Sequence, residues 1–219
     1  MSITLGIYDV FSYAIPGILY LFTLYEFMRF IQKPIELPLE NSLYLLLLAL
    51  LSYLVGHLFD HISRHLWYRR FYPEKSPERA FSRFEKHFNI KTEVTPRQWP
   101  ILLSVIRHTN SEVSTTIEKN KATSIMLRNV SFSLFLLFLI LAISAFFPVF
   151  SLTYLISAVV ALALSIVSMR RGDEFNQWFY LEIFQQSLIY GKSIKEILDS
   201  NHQSASSGTV RKRTCKKRW

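Results

Sequence analysis

Cysteine and glycine are scarce in this chain, and the motifs that depend on them are missing. Its 219 residues include one cysteine and six glycines. Because Cys215 has no possible partner, a disulfide within the chain is excluded. The sequence contains no CxxC pair, Gly-rich phosphate loop, Ser-His-Asp order or paired-carboxylate motif. It therefore offers no catalytic residue and no cofactor site of a familiar kind.

Charged residues make up 19% of the chain, whereas half of it is apolar and falls into long blocks. Crossing about 30 Å of hydrocarbon takes roughly 20 helical residues, and four blocks meet that need. They lie at about 8–30, 42–59, 130–147 and 152–169. The sequence therefore predicts an all-α, polytopic membrane protein with four transmembrane helices and a helical cytoplasmic region.

Lysine and arginine are distributed unevenly between the predicted spans. Residues 64–128 contain 13 of these cations and residues 170–219 contain 10, whereas the connection at 148–151 contains none. The positive-inside rule places both basic parts in the cytoplasm, and an even number of spans puts the N-terminus there as well. We expect a multi-pass protein of the bacterial inner (cytoplasmic) membrane with both termini cytoplasmic.

The predicted spans divide the chain into five parts. These are transmembrane helices 1 and 2 at 8–63, a cytoplasmic helical insert at 64–128, a transmembrane hairpin of helices 3 and 4 at 129–169, cytoplasmic C-terminal helices at 170–200, and a disordered polybasic tail at 201–219. Within the insert, helices are expected to begin at Ser76, Thr95 and Ser111, and the last should continue into the third span.

Small residues and one proline mark where the first two spans are expected to pack. Pro16 and Gly17 predict a kink or a packing notch in the first span. Ser52 and Gly56 form a small-xxx-small step in the second span, on which a neighbouring helix can pack closely.

Three histidines gather where the second apolar block gives way to charge. His57, His61 and His65 recur every four residues, and Asp60 lies one helical turn from His57. Because a pair of histidines at i and i+4 can bind one ion, one hypothesis is a metal site of His57 and His61 with Asp60 or His65. Proton sensing or ion conduction is another, since histidine titrates near neutral pH.

The simpler interpretation of this region is a polar seam at the cytoplasmic interface. Asp60 and Arg64 would then form an ion pair, and Trp67 with Tyr68 would belong to the aromatic belt of the membrane. No metal is required in this interpretation.

The end of the chain, RKRTCKKRW, is strongly basic. Its cations are Arg211, Lys212, Arg213, Lys216, Lys217 and Arg218. Near an anionic membrane surface each would contribute about 1 kcal/mol of attraction. We therefore expect the tail to bind anionic lipid headgroups, with nucleic acid as the competing partner.

Three local patterns together carry a family resemblance: DVFSYAIPG at 9–17, YLVGHLFDHIS at 53–63 and LRN at 127–129. They resemble a loose group of uncharacterised bacterial four-span inner-membrane proteins. Some of that group are found beside anti-phage systems and include membrane accessories of RNA-targeting CRISPR nucleases. The resemblance implies an accessory or effector role and transfers no catalytic residue.

Three functions follow as hypotheses. The first is a non-enzymatic membrane accessory or effector, whose cytoplasmic helices bind a protein partner or signal and which oligomerises and alters membrane permeability. The second is a membrane-bound metal-dependent or lipid-modifying enzyme that uses His57, Asp60 and His61. The third is a small channel or transporter with Asp9, His57 and Asp60 along a polar path.

Overall fold

The computed structural model describes residues 3–32, 42–72, 76–89, 95–147 and 150–189. Every regular element in these residues is helical. Two predicted parts lie outside them: the end of the C-terminal helices at 190–200, and the basic tail with all six of its predicted lipid-binding cations.

Seven α-helices, one π-helical segment and one 3₁₀ turn make up the described chain. In order they are α1 (Ile3–Phe30), α2 (Ser42–Ile62), the π-helical segment (Ser63–Tyr68), α3 (Arg69–Phe71), α4 (Ser76–Phe88), the 3₁₀ turn (Pro96–Gln98), α5 (Trp99–Thr109), α6 (Ser111–Phe146) and α7 (Leu152–Ile189). The helical starts predicted at Ser76, Thr95 and Ser111 are confirmed. Thr95 and Gln98 form a capping box at the second of these starts.

Four helical stretches are long and apolar enough to cross a membrane. They are Val10–Phe30, Ser42–Phe71, Ser111–Phe146 and Leu152–Ile189. The predicted all-α class and the four long apolar helices are therefore confirmed. The side of the membrane on which each end lies stays a prediction at this point.

The last two of these helices are much longer than a membrane crossing requires. α6 has 36 residues and α7 has 38, which at 1.5 Å per residue gives roughly 54 and 57 Å. The hydrocarbon layer is only about 30 Å thick. The sequence changes from apolar to polar near residue 170, and α7 continues through this change as one helix.

The contacts divide the chain into two compact units. Unit 1 comprises Met1–Ser76 and Glu118–Phe179, and unit 2 comprises Pro77–Ile117 and Tyr180–Trp219. Unit 1 contains most of the apolar helix length, and unit 2 contains α4 and α5.

In unit 1, α1 and α2 approach each other at two glycines. A Cβ atom added to Gly17 would lie 1.6 Å from the carbonyl oxygen of Ser52, and one added to Gly56 would lie 1.9 Å from that of Tyr13. Pro16 is fully buried within the continuous helix α1. The structure therefore places all four predicted packing residues at or beside one close contact between backbones, a contact that larger side chains would prevent.

The contact between α6 and α7 in unit 1 follows a seven-residue repeat of small residues. The Ser131 and Ser165 hydroxyls each donate to the carbonyl oxygen of the other residue, at 2.8 and 2.7 Å. Seven residues away, the Ser124 hydroxyl donates to the carbonyl oxygen of Gly172 at 2.8 Å. This small-residue seam lets two antiparallel helices pack closely and satisfies hydroxyls that lipid could not.

The directions of the helices in unit 1 follow from these pairings. The Ser12 hydroxyl donates to the Ala122 carbonyl and the Tyr20 hydroxyl to the Asn129 carbonyl, each at 3.1 Å. Residue numbers thus rise together, so α1 and α6 run in the same direction. α2 and α7 run in the opposite direction, because Gly17 faces Ser52 while Gly56 faces Tyr13, and Ser124 faces Gly172.

Unit 2 has an apolar core of the kind found in soluble helical domains. The core comes from α4, α5, the start of α6 and the end of α7, and its most buried members are Ala80, Phe84, Leu102, Ile106, Ile117, Ile183 and Phe184. Phe88, in the last turn of α4, lies outside this core and is 39% exposed.

The glycine contacts predict the effect of a larger side chain. Gly17→Leu or Gly56→Leu should lower the unfolding free energy by about 1–3 kcal/mol, because α1 and α2 must separate to accommodate the new side chain. Thermal unfolding of the detergent-solubilised protein, followed by circular dichroism, measures this loss.

Ala163→Leu is the matched control, since Ala163 is exposed on α7 and its neighbours on that face, such as Val159 and Val167, are 58% and 62% exposed. It should leave the unfolding transition unchanged. Equal stability of the glycine variants and the control would contradict the close contact.

Candidate functional site

Polar and charged side chains gather in unit 1 near the ends of the apolar blocks. We call this group the polar cluster. Its members are Asp60, Ser63, Tyr68, Ser76, Lys121, Arg128, Asn129, Asp173, Asn176 and Gln177. Polar groups shielded from water beside apolar helices are costly unless they bind one another, which makes this cluster the leading candidate site.

Asp60 and Arg128 form the first half of the polar cluster. The Arg128 guanidinium donates to Oδ1 of Asp60, and the Asn129 amide donates to the same oxygen at 3.1 Å. The Ser63 hydroxyl in turn donates to Oδ1 of Asn129. Side-chain exposure is only 10% for Arg128 and 22% for Asp60, so the pair is largely shielded from water and joins α2 to α6.

The predicted ion pair of Asp60 with Arg64 is not the one that the structure contains. Arg64 is exposed, and the carboxylate of Asp60 binds Arg128 on another helix. The i, i+4 spacing indicated a pairing within one helix, but it could not reveal an arginine 68 positions away. Satisfying a partly buried carboxylate favours the partner that is itself shielded from water.

A π-helical segment follows Asp60 and orients two aromatic side chains into unit 1. Nε1 of Trp67 donates to the Ser131 hydroxyl at 2.9 Å, and the Tyr68 hydroxyl donates to Oδ1 of Asp173 at 2.6 Å. The wider turn of a π-helix lets the adjacent residues Trp67 and Tyr68 bind different partners within unit 1. Such turns occur frequently at functional sites. The sequence between Ser63 and Tyr68 contains no glycine or proline that would have marked this segment.

Tyr68 is the centre of the second half of the polar cluster. Nδ2 of Asn176 donates to the Tyr68 hydroxyl at 3.2 Å and to the Ser76 hydroxyl at 2.7 Å. Nζ of Lys121 donates to Oδ1 of Asn176 at 2.8 Å.

Arg128 connects the two halves, because its guanidinium lies 5.8 Å from the centre of the Tyr68 ring, within cation–π range. Gln177 donates to the second oxygen of Asp173 at 2.6 Å. The cluster thereby ties together α2, its π-helical extension, α6 and α7.

The three histidines lie beside the polar cluster and are all exposed. The ring of His57 contacts Tyr13 edge-on, with ring centres 4.8 Å apart, and the rings of His61 and His65 stack at 4.3 Å. Within the described residues, no three His, Cys, Asp or Glu side chains are grouped so that they could hold a metal ion. The metal site of His57, His61, Asp60 and His65 stays a prediction.

Sequence reasoning identified Asp60 but missed Arg128 and Asn129, which bind it, and most of the other residues of the polar cluster. Arg128 and Asn129 belong to the LRN stretch at 127–129, which contributed to the resemblance without a role of its own. Asp173 and Asn176 follow the fourth apolar block and look like ordinary polar residues beyond a span. The usable signal was that polar residues occur at the ends of three different apolar blocks, where they can meet.

No family model matches the chain, and neither the curated proteins nor the solved structures include a significant match. The interpretation of the polar cluster therefore depends on its own geometry. Asp60 and Arg128 bind each other across helices, and Asp173 and Lys121 bind polar side chains of other helical segments. This arrangement fixes helix positions and balances charge where water is largely excluded.

A double-mutant cycle tests the central pair. We expect Asp60→Asn and Arg128→Gln to be coupled by about 1–2 kcal/mol in unfolding free energy, because each single change leaves a shielded charge without its partner. Chemical unfolding in detergent, followed by circular dichroism, gives the coupling.

The exposed ion pair of Arg171 and Glu174 provides the control. These side chains are 55% and 50% exposed, so the cycle of Arg171→Gln and Glu174→Gln should give a coupling of about 0.5 kcal/mol or less. Equal couplings in both cycles would show that Asp60 and Arg128 have no special structural role.

Proposed function

We propose that this chain is a multi-pass inner-membrane accessory or effector protein. Its cytoplasmic helices bind a protein partner or signal, and its membrane part oligomerises and alters permeability in response. The observation that carries the proposal is the polar cluster, which connects three of the four long apolar helices near the ends of their apolar segments. A ligand-dependent change in those ends would have a direct route to the membrane helices.

Helix directions and charge support the proposed orientation. α1 and α6 run in one direction and α2 and α7 in the other, as expected if each apolar block crosses the membrane once. The beginning of α6 and the end of α7 then lie on one side, together with the 13 cations of residues 64–128. The positive-inside rule makes that side cytoplasmic.

The use of the charged groups supports a non-enzymatic role. Asp60 binds Arg128 and Asn129, and Asp173 binds Tyr68 and Gln177, so these carboxylates serve contacts between helices. The resemblance to membrane accessories of anti-phage systems suggests a defence context. The metal-dependent enzyme and the channel remain alternatives, and the experiments below separate them from the accessory.

Cysteine labelling tests the orientation. In a Cys215→Ser background, Phe150→Cys should react with a membrane-impermeant maleimide in intact spheroplasts, because the α6–α7 connection faces the periplasm. Ser82→Cys on α4 should react only after lysis, because the basic residues retain the insert in the cytoplasm.

Lysis in detergent is the control, since both thiols must react there. Labelling of Ser82→Cys in intact spheroplasts would overturn the proposed orientation. A reporter fused after residue 90 provides an independent measurement of the same side.

The proposed role is tested in bacteria that express the chain together with its neighbouring genes. During phage challenge, we expect fewer plaques and a fall in membrane potential, measured with a voltage-sensitive dye, because the triggered membrane helices change permeability. An unchanged potential would contradict the permeabilising role.

The double variant His57→Ala, His61→Ala separates the proposal from the metal enzyme. Protection should persist in this variant, since neither ring belongs to the polar cluster, whereas a metal-dependent enzyme would lose its activity. Ion flux through liposomes containing only the purified chain would favour the channel instead.

A further inference from the structure

Unit 2 contains a groove between α4 and α7 with a basic lining. It is lined by Arg83, Lys86, His87, Leu181 and Gln185 and has a volume of about 520 Å³. The three residues from α4 are three and four positions apart, which places their side chains on one face of that helix. None of the acidic residues within 3–32, 42–72, 76–89, 95–147 and 150–189 lines this groove, although Glu85 and Glu182 lie on the same two helices.

The cations of this groove are available to a ligand. In the described part of the chain, Arg83 and Lys86 form no ion pair and no hydrogen bond. Cations elsewhere are engaged, as Arg171 on α7 is with Glu174 and Arg128 on α6 is with Asp60. A concave surface with unpaired positive charge concentrates anions.

The groove has a fixed wall, because α4 is anchored by its opposite face. Ala80 and Phe84 are each 1% exposed in the core of unit 2, and the ring of Phe84 lies 6.1 Å from that of Phe184 on α7. The helix that presents Arg83 and Lys86 therefore keeps its position against the helix that presents Gln185. Donors held in this way lose little freedom when a ligand binds.

We propose that this groove binds a phosphate group carried by an organic ligand, either a small soluble molecule or a lipid headgroup. The guanidinium of Arg83 can donate two parallel hydrogen bonds to phosphate oxygens, and the ammonium of Lys86 adds a compact positive charge. The amide of Gln185 offers both a donor and an acceptor to the organic part. The volume lies within the range of small-molecule sites, about 300–1,000 Å³, and exceeds what a bare phosphate ion fills.

A phosphate ligand suits this lining better than nucleic acid does. Sites for single-stranded nucleic acid combine extended basic tracks with aromatic stacking surfaces, whereas among the described residues no phenylalanine, tyrosine or tryptophan lines the groove. The inference names the chemistry of the signal and so depends on the proposed function. Binding to the purified chain, however, can be measured whichever side of the membrane the groove faces.

Isothermal titration calorimetry on the full chain in phosphatidylcholine nanodiscs tests the groove, with pyrophosphate and ADP as probes. We expect binding of at least one probe, and Arg83→Gln should weaken it about tenfold through the loss of charge-assisted hydrogen bonds. Arg97→Gln is the matched control, since it removes an exposed arginine of unit 2 outside the groove; its affinity should equal that of the unchanged chain. Lys86→Gln gives a second test if Arg83→Gln fails to fold by circular dichroism.

The outcomes separate the ligand sources. If neither soluble probe binds, the ligand is expected to be a lipid. In nanodiscs that contain spin-labelled phosphatidic acid, the Arg83→Gln variant should then release this lipid faster than the Arg97→Gln variant does. The proposal would be overturned if neither the soluble probes nor the lipid bound. It would also be overturned if the groove variant and the control variant lost equal affinity, or if a polyglutamate peptide or an RNA oligonucleotide bound more tightly than the phosphate probes. None of these outcomes depends on the membrane orientation or on phage protection.

Discussion

The ion pair between Asp60 and Arg128 is the constraint around which the polar part of unit 1 is arranged. A carboxylate near the end of an apolar helix cannot remain there without a partner, because removal from water costs several kcal/mol per ion. Arg128 supplies the charge, Asn129 donates to the same carboxylate oxygen, and Ser63 donates to the amide oxygen of Asn129. The register between α2 and α6 is thereby restricted to one that brings these residues together.

Small residues provide the second constraint, since lipid offers no hydrophobic driving force for association of helices. The small-residue seam of α6 and α7 and the glycines of α1 and α2 allow backbones to come close, where dispersion and hydroxyl bonds act at short range. Leucine-rich faces remain for lipid, as on α2, where Leu46 and Leu58 are 67% and 68% exposed. Faces with small residues therefore form the contacts between helices, and leucine-rich faces remain exposed.

Unit 2 is held together by a buried apolar core. Its helices place aromatic and aliphatic side chains inward, with Phe84 and Phe184 among the most buried, and leave cations such as Arg83 and Lys86 outward. α6 and α7 contribute residues to both units, and each helix changes composition along its length to match. The basic groove belongs to unit 2, whereas the polar cluster belongs to unit 1.

The sequence by itself determined the helical class, the four apolar helices and most helix starts. These depend on composition and on residues near one another in the chain: apolar blocks, Ser76 before Pro77, and Thr95 with Gln98. It also identified Gly17, Ser52 and Gly56, because small residues in apolar helices have few other uses.

Only the tertiary structure decided the partner of Asp60, the π-helical turn that brings in Trp67 and Tyr68, and the groove between α4 and α7. The physical reason is that a hydrogen bond or ion pair between helices depends on which faces meet. Charged residues at the ends of several apolar blocks are equally plausible partners until the helices pack. Periodicity along one helix specifies that helix's faces, but it carries no information about what lies across from them.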